Sequence, residues 1–149
     1  MNDEYFMKQA IALAKEAAEE GEVPVGAVVV FEGKIVGTGR NRREISKNAL
    51  AHAEIEAINE ACRALGGWRL WQCDMYVTLE PCPMCTGAII NSRIKRLVYG
   101  ASDYKAGSCG SVVDLFSLPY NHKPEVVSGV MQEECAALLS DFFKKLRKK

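Results

Sequence analysis

The chain has 149 residues, 48% of them hydrophobic and 26% charged, a length and balance suited to one globular domain with a real core spanning residues 1–149. Its 19 Lys plus Arg equal its 19 Asp plus Glu, which excludes a nucleic-acid binder working by bulk charge and leaves only local basic patches for that role. No apolar run reaches the roughly 18 residues of a membrane span and the polar start has no apolar leader core, so a soluble, untargeted, cytoplasmic protein with no membrane partner is expected.

In chain order, Phe6, Met7, Ala10, Ile11, Ala14, Ala17 and Ala18 recur at helical spacing, predicting an amphipathic helix over 3–20 that stops at Gly21. Val25 to Phe31 is almost continuously apolar, Glu32-Gly33-Lys34 reads as a turn, and Ile35 to Gly39 resumes a strand. Together they predict an antiparallel hairpin whose first strand is deeply buried. The basic residues of Arg40 to Arg43 form the first local patch. Ala51 to Leu65 reads as a helix closed by Gly66-Gly67, Cys73 to Leu79 as a third strand, Pro83 to Ser92 as a short helix, and Arg96 to Tyr99 as a fourth strand ended by Gly100. Strands joined by short helical crossovers favour parallel pairing with right-handed connections. Ser111 to Ser117 suggests another short helix, Glu125 to Val127 a fifth strand, and Glu133 to Lys145 a final amphipathic helix that runs into the second basic patch, Lys144, Lys145, Arg147, Lys148 and Lys149. The expected fold is therefore α/β, a three-layer α/β/α arrangement around a five-stranded mixed sheet.

The six cysteines do not read as a disulfide framework, because a secretory context is missing and two of them form a Cys-x-x-Cys pair typical of metal or redox sites. Cys62, Cys73, Cys109 and Cys135 are scattered and read as buried or incidental thiols. The chemistry gathers instead in His52-Ala53-Glu54 and Pro81-Cys82-Pro83-Met84-Cys85. One imidazole and two thiolates suit a single zinc ion per subunit and leave its fourth tetrahedral position open for water, which marks a catalytic rather than a structural site. Pro83 is preorganised for the first helical turn, so both thiols sit near that helix's positive end, where thiolates are favoured. Glu54, two residues after His52, points away from the ligand direction on a helix and suits a proton carrier rather than a further ligand. Zinc lowers the pKa of bound water to about 7, and loss of ammonia then needs protons moved to the ring and the leaving amine; one mobile carboxylate can do both.

His-x-Glu followed by Pro-Cys-x-x-Cys is the signature of zinc deaminases of nucleobases. With Val23-Pro24-Val25-Gly26-Ala27-Val28, Gly39-Arg40-Asn41-Arg42, Val77-Thr78-Leu79-Glu80, Gly100-Ala101-Ser102-Asp103-Tyr104-Lys105, Asn121-His122 and Glu134-Cys135-Ala136-Ala137-Leu138-Leu139, the chain resembles the bacterial tRNA adenosine deaminase family, within the cytidine deaminase-like superfamily, almost end to end. That resemblance implies hydrolytic deamination of adenosine to inosine at the wobble position in the anticodon loop of tRNA, and a homodimer whose interface lies near the active sites. It further implies that Val25 packs on the adenine ring, that Asn41 hydrogen-bonds the flipped nucleotide, and that Asp103, Lys105 and His122 contact neighbouring sugars or phosphates. Such roles suit RNA read through unstacked loop bases, 2′-hydroxyls and backbone phosphates. The chain departs from the family pattern at Asn48-Ala49-Leu50, where Asp-Pro-Thr or a close variant is common, and at Tyr104, where Pro or Ala is common.

Two alternatives stand beside this reading. Relatives with the same zinc motif act on free guanine, cytosine or related small molecules, and the neutral net charge favours that option slightly. A noncatalytic zinc-stabilised subunit or RNA-binding partner is the other, and the presence of Glu54 argues against it.

Overall fold

A computed structural model describes residues 2–148; Met1 and Lys149, the last of the C-terminal basic run, lie outside the described residues. The first helix, α1 (Asp3–Glu19), begins where the Asn2 side chain accepts a hydrogen bond from the Tyr5 backbone N–H at 3.0 Å and carries Asp3 and Glu4 in its first turn, where the helix dipole favours negative charge. Strands β1 (Gly26–Phe31) and β2 (Lys34–Arg40) form the expected antiparallel hairpin. They are followed by α2 (Arg43–Ser46), α3 (Ala53–Leu65), β3 (Cys73–Leu79), α4 (Pro83–Ser92) and β4 (Arg96–Ala101), then a 3₁₀ turn at Leu115–Ser117, β5 (Glu125–Ser128) and α5 (Gln132–Arg147).

The strands lie in the order β2-β1-β3-β4-β5. β1 is antiparallel to both β2 and β3, whereas β3, β4 and β5 run parallel, the mixed sheet that the alternation of strands and helices predicts. Because successive strand residues face opposite sides, the sheet sorts its apolar residues into two layers. Ala27, Val29, Met75, Val77, Leu97 and Tyr99 pack with Ala53, Ala57, Ile58 and Ala61 of α3 and Ile89 and Ile90 of α4. Val28, Val30, Tyr76 and Val98 pack on the other side with Met7, Ala10 and Ile11 of α1 and Cys135 of α5. Among the described residues no helix is long and apolar enough to cross a membrane.

Four local expectations need correction, the last of them the start of α3, taken up below. The 111–117 segment is not a helix apart from its last turn, because its N–H groups are drawn elsewhere: Ser111 N donates to the Glu80 carboxylate at 3.0 Å and Val112 N to Gly107 O at 2.9 Å. Gly100 does not end β4, since Leu79 still pairs with Ala101 beyond it. The stretch read as a basic patch around Asn41 leads into the short helix α2, which starts at its last residue, Arg43, and Arg40 there is absorbed by Glu20, to which its Nε and Nη2 donate at 2.8 and 3.0 Å.

The register between β2 and α3 places the first chemical group. A Cβ on Gly39 would lie 2.0 Å from the Ala53 carbonyl oxygen, so only glycine lets the start of α3 come this close to the sheet. The helix begins at Ala53 rather than Ala51, leaving His52 as its N-cap in extended conformation, φ −85° and ψ 153°. Cys82 occupies the same position on α4, φ −73° and ψ 175°, with Pro83 first in the helix. Two helix starts thereby meet at the edge where the parallel strand β3 ends, the usual position of a site in an open α/β sheet.

Candidate metal centre

His52, Cys82 and Cys85 are drawn together from these two helix starts, their ligand atoms all within 4.8 Å of one another. His52 Nδ1 stands 3.6 Å from Cys82 Sγ and 3.5 Å from Cys85 Sγ. Tetrahedral zinc with Zn–S of about 2.3 Å and Zn–N of about 2.0–2.1 Å sets its nitrogen and sulfur ligands about 3.6 Å apart, so the donor spacing fits that ion. Cys85 is fully buried and His52 and Cys82 half-buried. This is the only group of three or more such donors of metal-binding spacing among the described residues.

The three groups differ in how readily they give up a proton. A hydrogen bond from Cys85, with help from His52, lowers the Cys82 thiol to about 4, whereas its bond to Cys82 and its burial hold the Cys85 thiol far above its ordinary value. The hydrogen bond with Cys82 raises the His52 imidazole against the opposing effect of burial. A bound cation would favour thiolate at both sulfurs and neutral imidazole, so metal binding there releases protons.

Glu54 lies one residue inside α3 and is 4% exposed. Burial pushes its carboxyl up to about 7, partly offset by a hydrogen bond with its own backbone and by the nearby His52. Glu54 is absent from the converging ligand set, as its spacing from His52 predicts, yet it lines the same cavity. That cavity has a volume of about 200 Å³ and is lined by Val23, Val25, Asn41, Arg43, His52, Ala53, Glu54, Leu79, Glu80, Cys82, Asp103 and Ala106. It is smaller than the roughly 300–1,000 Å³ of sites for drug-sized ligands and suits one planar ring. A carboxylic acid titrating near neutrality, beside a group suited to a metal and inside a pocket of this size, can take a proton from water and deliver it to a bound ring.

Of the remaining sequence-predicted residues, Val25, Asn41 and Asp103 stand in the cavity wall. The Asn41 amide braces its own loop, Nδ2 donating to Val23 O at 3.2 Å and Oδ1 accepting from Arg43 N at 3.2 Å. Asp103 Oδ1 accepts from the backbone N–H groups of Lys105 and Ala106 at 3.0 and 3.2 Å. Lys105 and His122 are not brought to the cavity. Lys105 is exposed beside Phe143, Leu146 and Arg147, and His122 Nε2 lies 2.6 Å from Ile94 O, just before the start of β4 and so at the opposite edge of the sheet. Tyr104, one of the departures from the family pattern, projects at 81% exposure next to Asp103, and Leu50, the other, is 58% exposed.

Sequence reasoning missed two buried carboxylates that hold the cavity's flanking loops. Glu22, 2% exposed, accepts from Glu44 N at 3.1 Å and Ile45 N at 2.7 Å and so anchors α2. Glu80, 1% exposed, accepts from the backbone of the 103–111 loop. A charged residue ending an apolar strand directly before Pro81-Cys82 was the signal available for Glu80, since the C-terminal edge of a parallel strand faces the site.

The chain matches the model of the MafB19-like deaminase family over residues 1–147. It is 53% identical over 148 residues to the tRNA-specific adenosine deaminase of Bacillus subtilis (strain 168), covering 99% of this chain and 92% of that protein. A solved structure from biochemical and structural work on A-to-I editing by tRNA:A34 deaminases at the wobble position superposes with a TM-score of 0.88 at 47% identity, covering 91% of this chain and 99% of that one. The solved guanine deaminase of Bacillus subtilis superposes with a TM-score of 0.68 at 34% identity, covering 100% of this chain and 96% of that one.

Proposed function

The chain belongs to the MafB19-like deaminase family, and from that membership we propose that it is a zinc-dependent tRNA adenosine deaminase that converts the wobble adenosine of an anticodon loop to inosine. The observation that carries the reading is the convergence of His52, Cys82 and Cys85 at a cavity of single-base size whose wall also holds Glu54. The choice of substrate follows from relatives: identity to the tRNA-specific enzyme is 53% and to the guanine deaminase 34%.

In this mechanism His52, Cys82 and Cys85 would hold one zinc ion per subunit, and Glu54 on the same cavity wall is the proton carrier. Zinc, when bound, supplies a water molecule acidified toward neutral pH. Glu54 takes a first proton from the attacking water at a carboxylate oxygen and gives it to the purine ring nitrogen beside the carbon under attack, then takes a second from the hydroxyl formed on that carbon and gives it to the departing amine, so that adenosine and water become inosine and ammonia. Burial that raises the Glu54 carboxyl to about 7 matches it to both duties, since a group titrating near the working pH accepts and donates with equal ease. Val25 packs against the ring and Asn41 hydrogen-bonds the flipped nucleotide, while Asp103, Lys105 and His122 contact neighbouring sugars or phosphates. The buried position of Val25 on the cavity wall supports its role. His122 requires its loop to leave Ile94 or to meet RNA along that edge.

The whole chain acts as one deaminase domain, in the cytoplasm, where its tRNA substrate is found. It pairs as a homodimer, a reading supported by the apolar groove between α3 and α4, where Ile55, Ile58, Cys62 and Ala88 meet the half-exposed Trp68.

An anticodon stem-loop with adenosine at the wobble position, incubated with the purified protein and digested to nucleosides, should yield inosine by mass analysis. Excess free guanine or cytosine should not compete. A stem-loop left unmodified by protein that deaminates a free base would overturn the tRNA reading in favour of the small-molecule one.

A further inference from the structure

Glu80 is a carboxylate in the cavity wall that the chemistry above leaves unused. Its two oxygens offer about four acceptor positions, and four donors of one loop fill them. Oε1 accepts from Asp103 N at 3.0 Å and from the Ser111 hydroxyl; Oε2 accepts from Cys109 N and Ser111 N, each at 3.0 Å. The loop wraps so tightly that a Cβ on Gly107 would lie 2.5 Å from Glu80 Oε1 and 2.4 Å from Asp103 O. Ser108 N adds a bond to Pro81 O at 2.9 Å, which ties the loop to the peptide that leads into Cys82.

With its acceptors filled, Glu80 has no capacity left for a substrate. What it controls is the position of Asp103 and Ala106, both in the cavity wall. We infer that Glu80 is a positioning residue that fixes the Asp103–Ala106 wall before substrate arrives, and so governs affinity for the flipped nucleotide rather than the proton transfers. A loop held in place beforehand loses little conformational freedom on binding; a released loop must be ordered by the substrate, and that cost falls on KM. The inference rests on the tRNA reading only for its substrate, since the loop contacts stand whichever base is bound.

The test compares the zinc-loaded wild type with Glu80→Gln and Ser111→Ala. Glutamine keeps the shape but sets an NH₂ against two of the loop's donors, whereas Ser111→Ala removes one donor and leaves the carboxylate intact. Wild type is assayed first on the wobble-adenosine stem-loop; failure there sinks the substrate assignment, and the variants are then compared on whichever adenine or guanine compound it does convert. Glu80→Gln is expected to raise KM by roughly tenfold with kcat changed far less, and Ser111→Ala to raise KM by about threefold, each less than the full worth of a hydrogen bond to a charged group because only the cost of ordering the loop falls on KM. Backbone amides of residues 103–111 should exchange with deuterium faster in Glu80→Gln, at unchanged zinc content. A fall in kcat at constant KM in either variant, or faster loop exchange with both kinetic constants unchanged, would overturn it. Should Glu80→Gln not fold, Ser111→Ala alone decides by the same KM criterion.

Discussion

Glu54 is where the proposed chemistry is most exposed to test. It is buried, its carboxyl is pushed up to about 7, and it stands outside the ligand triad, so Glu54→Gln should keep the metal and the fold while losing about 10²–10⁴ in kcat, the usual contribution of a positioned acid–base group. Metal analysis and turnover on the same preparation check both halves; a variant that retains most of its turnover would show that another group carries the protons. His52→Ala should instead lose the metal itself, with a fall in thermal midpoint, because ligand loss removes binding energy that also stabilises the folded chain. These residues were legible because their chemistry is written in short motifs. For Glu80 only the position before Pro81-Cys82 could be read, not the role: its donors lie 23 to 31 residues further along the chain, and no local pattern reports a contact of that range.

The helix starts carry these groups, and their placement depends on how closely α3 approaches β2. Gly39→Ala would push a methyl into the Ala53 carbonyl, between His52 and Glu54. The expected result is a loss of stability of at least about 1–3 kcal/mol, as for other overpacked interiors, accompanied by weakened metal retention. Denaturant midpoints and metal analysis measure both, and a variant as stable and as well metallated as the wild type would refute the account of this contact. Elements bounded by their own sequence were readable: β3 and α4 fall on the expected residues, the latter because Pro83 can only begin a helix. The 111–117 segment departs from a helix because Ser111 N goes to the buried Glu80 carboxylate, Val112 N to Gly107 O and Leu115 N to Ser108 O, and α2 was missed because Glu22, 22 and 23 residues upstream of the two N–H groups it binds, supplies its anchor.

Across the whole molecule, the edge opposite the metal centre is held by a different set of charges. Arg96 of β4 donates to both oxygens of Asp3 in α1, at 2.9 and 2.6 Å, and the Tyr76 hydroxyl donates to Asp3 Oδ1 at 2.7 Å. The Arg96 hydrogen bond is the main reason the Asp3 carboxyl titrates below its ordinary 3.8. A folded-state value below the unfolded one means stability that is present above pH 3.8 and lost as the pH falls through the folded value. Asp3→Asn should therefore flatten the acid limb of the stability curve while lowering stability at neutral pH, as read from thermal midpoints between about pH 6 and pH 3; parallel curves for variant and wild type would contradict the assignment. The three-layer architecture was legible from the alternation of apolar strands with amphipathic helices, since short helical crossovers between strands put helices on both faces of the sheet. Which loops close over the cavity was not, because Glu22 and Glu80 organise them through contacts between distant segments.

The most direct measurement is the reaction run in water enriched in heavy oxygen, with a wobble-adenosine stem-loop as substrate and the product nucleoside weighed. The account predicts inosine carrying one solvent oxygen, ammonia released in equal amount, and neither product once the metal has been removed. Unlabelled inosine, or undiminished turnover by metal-free protein, would contradict it.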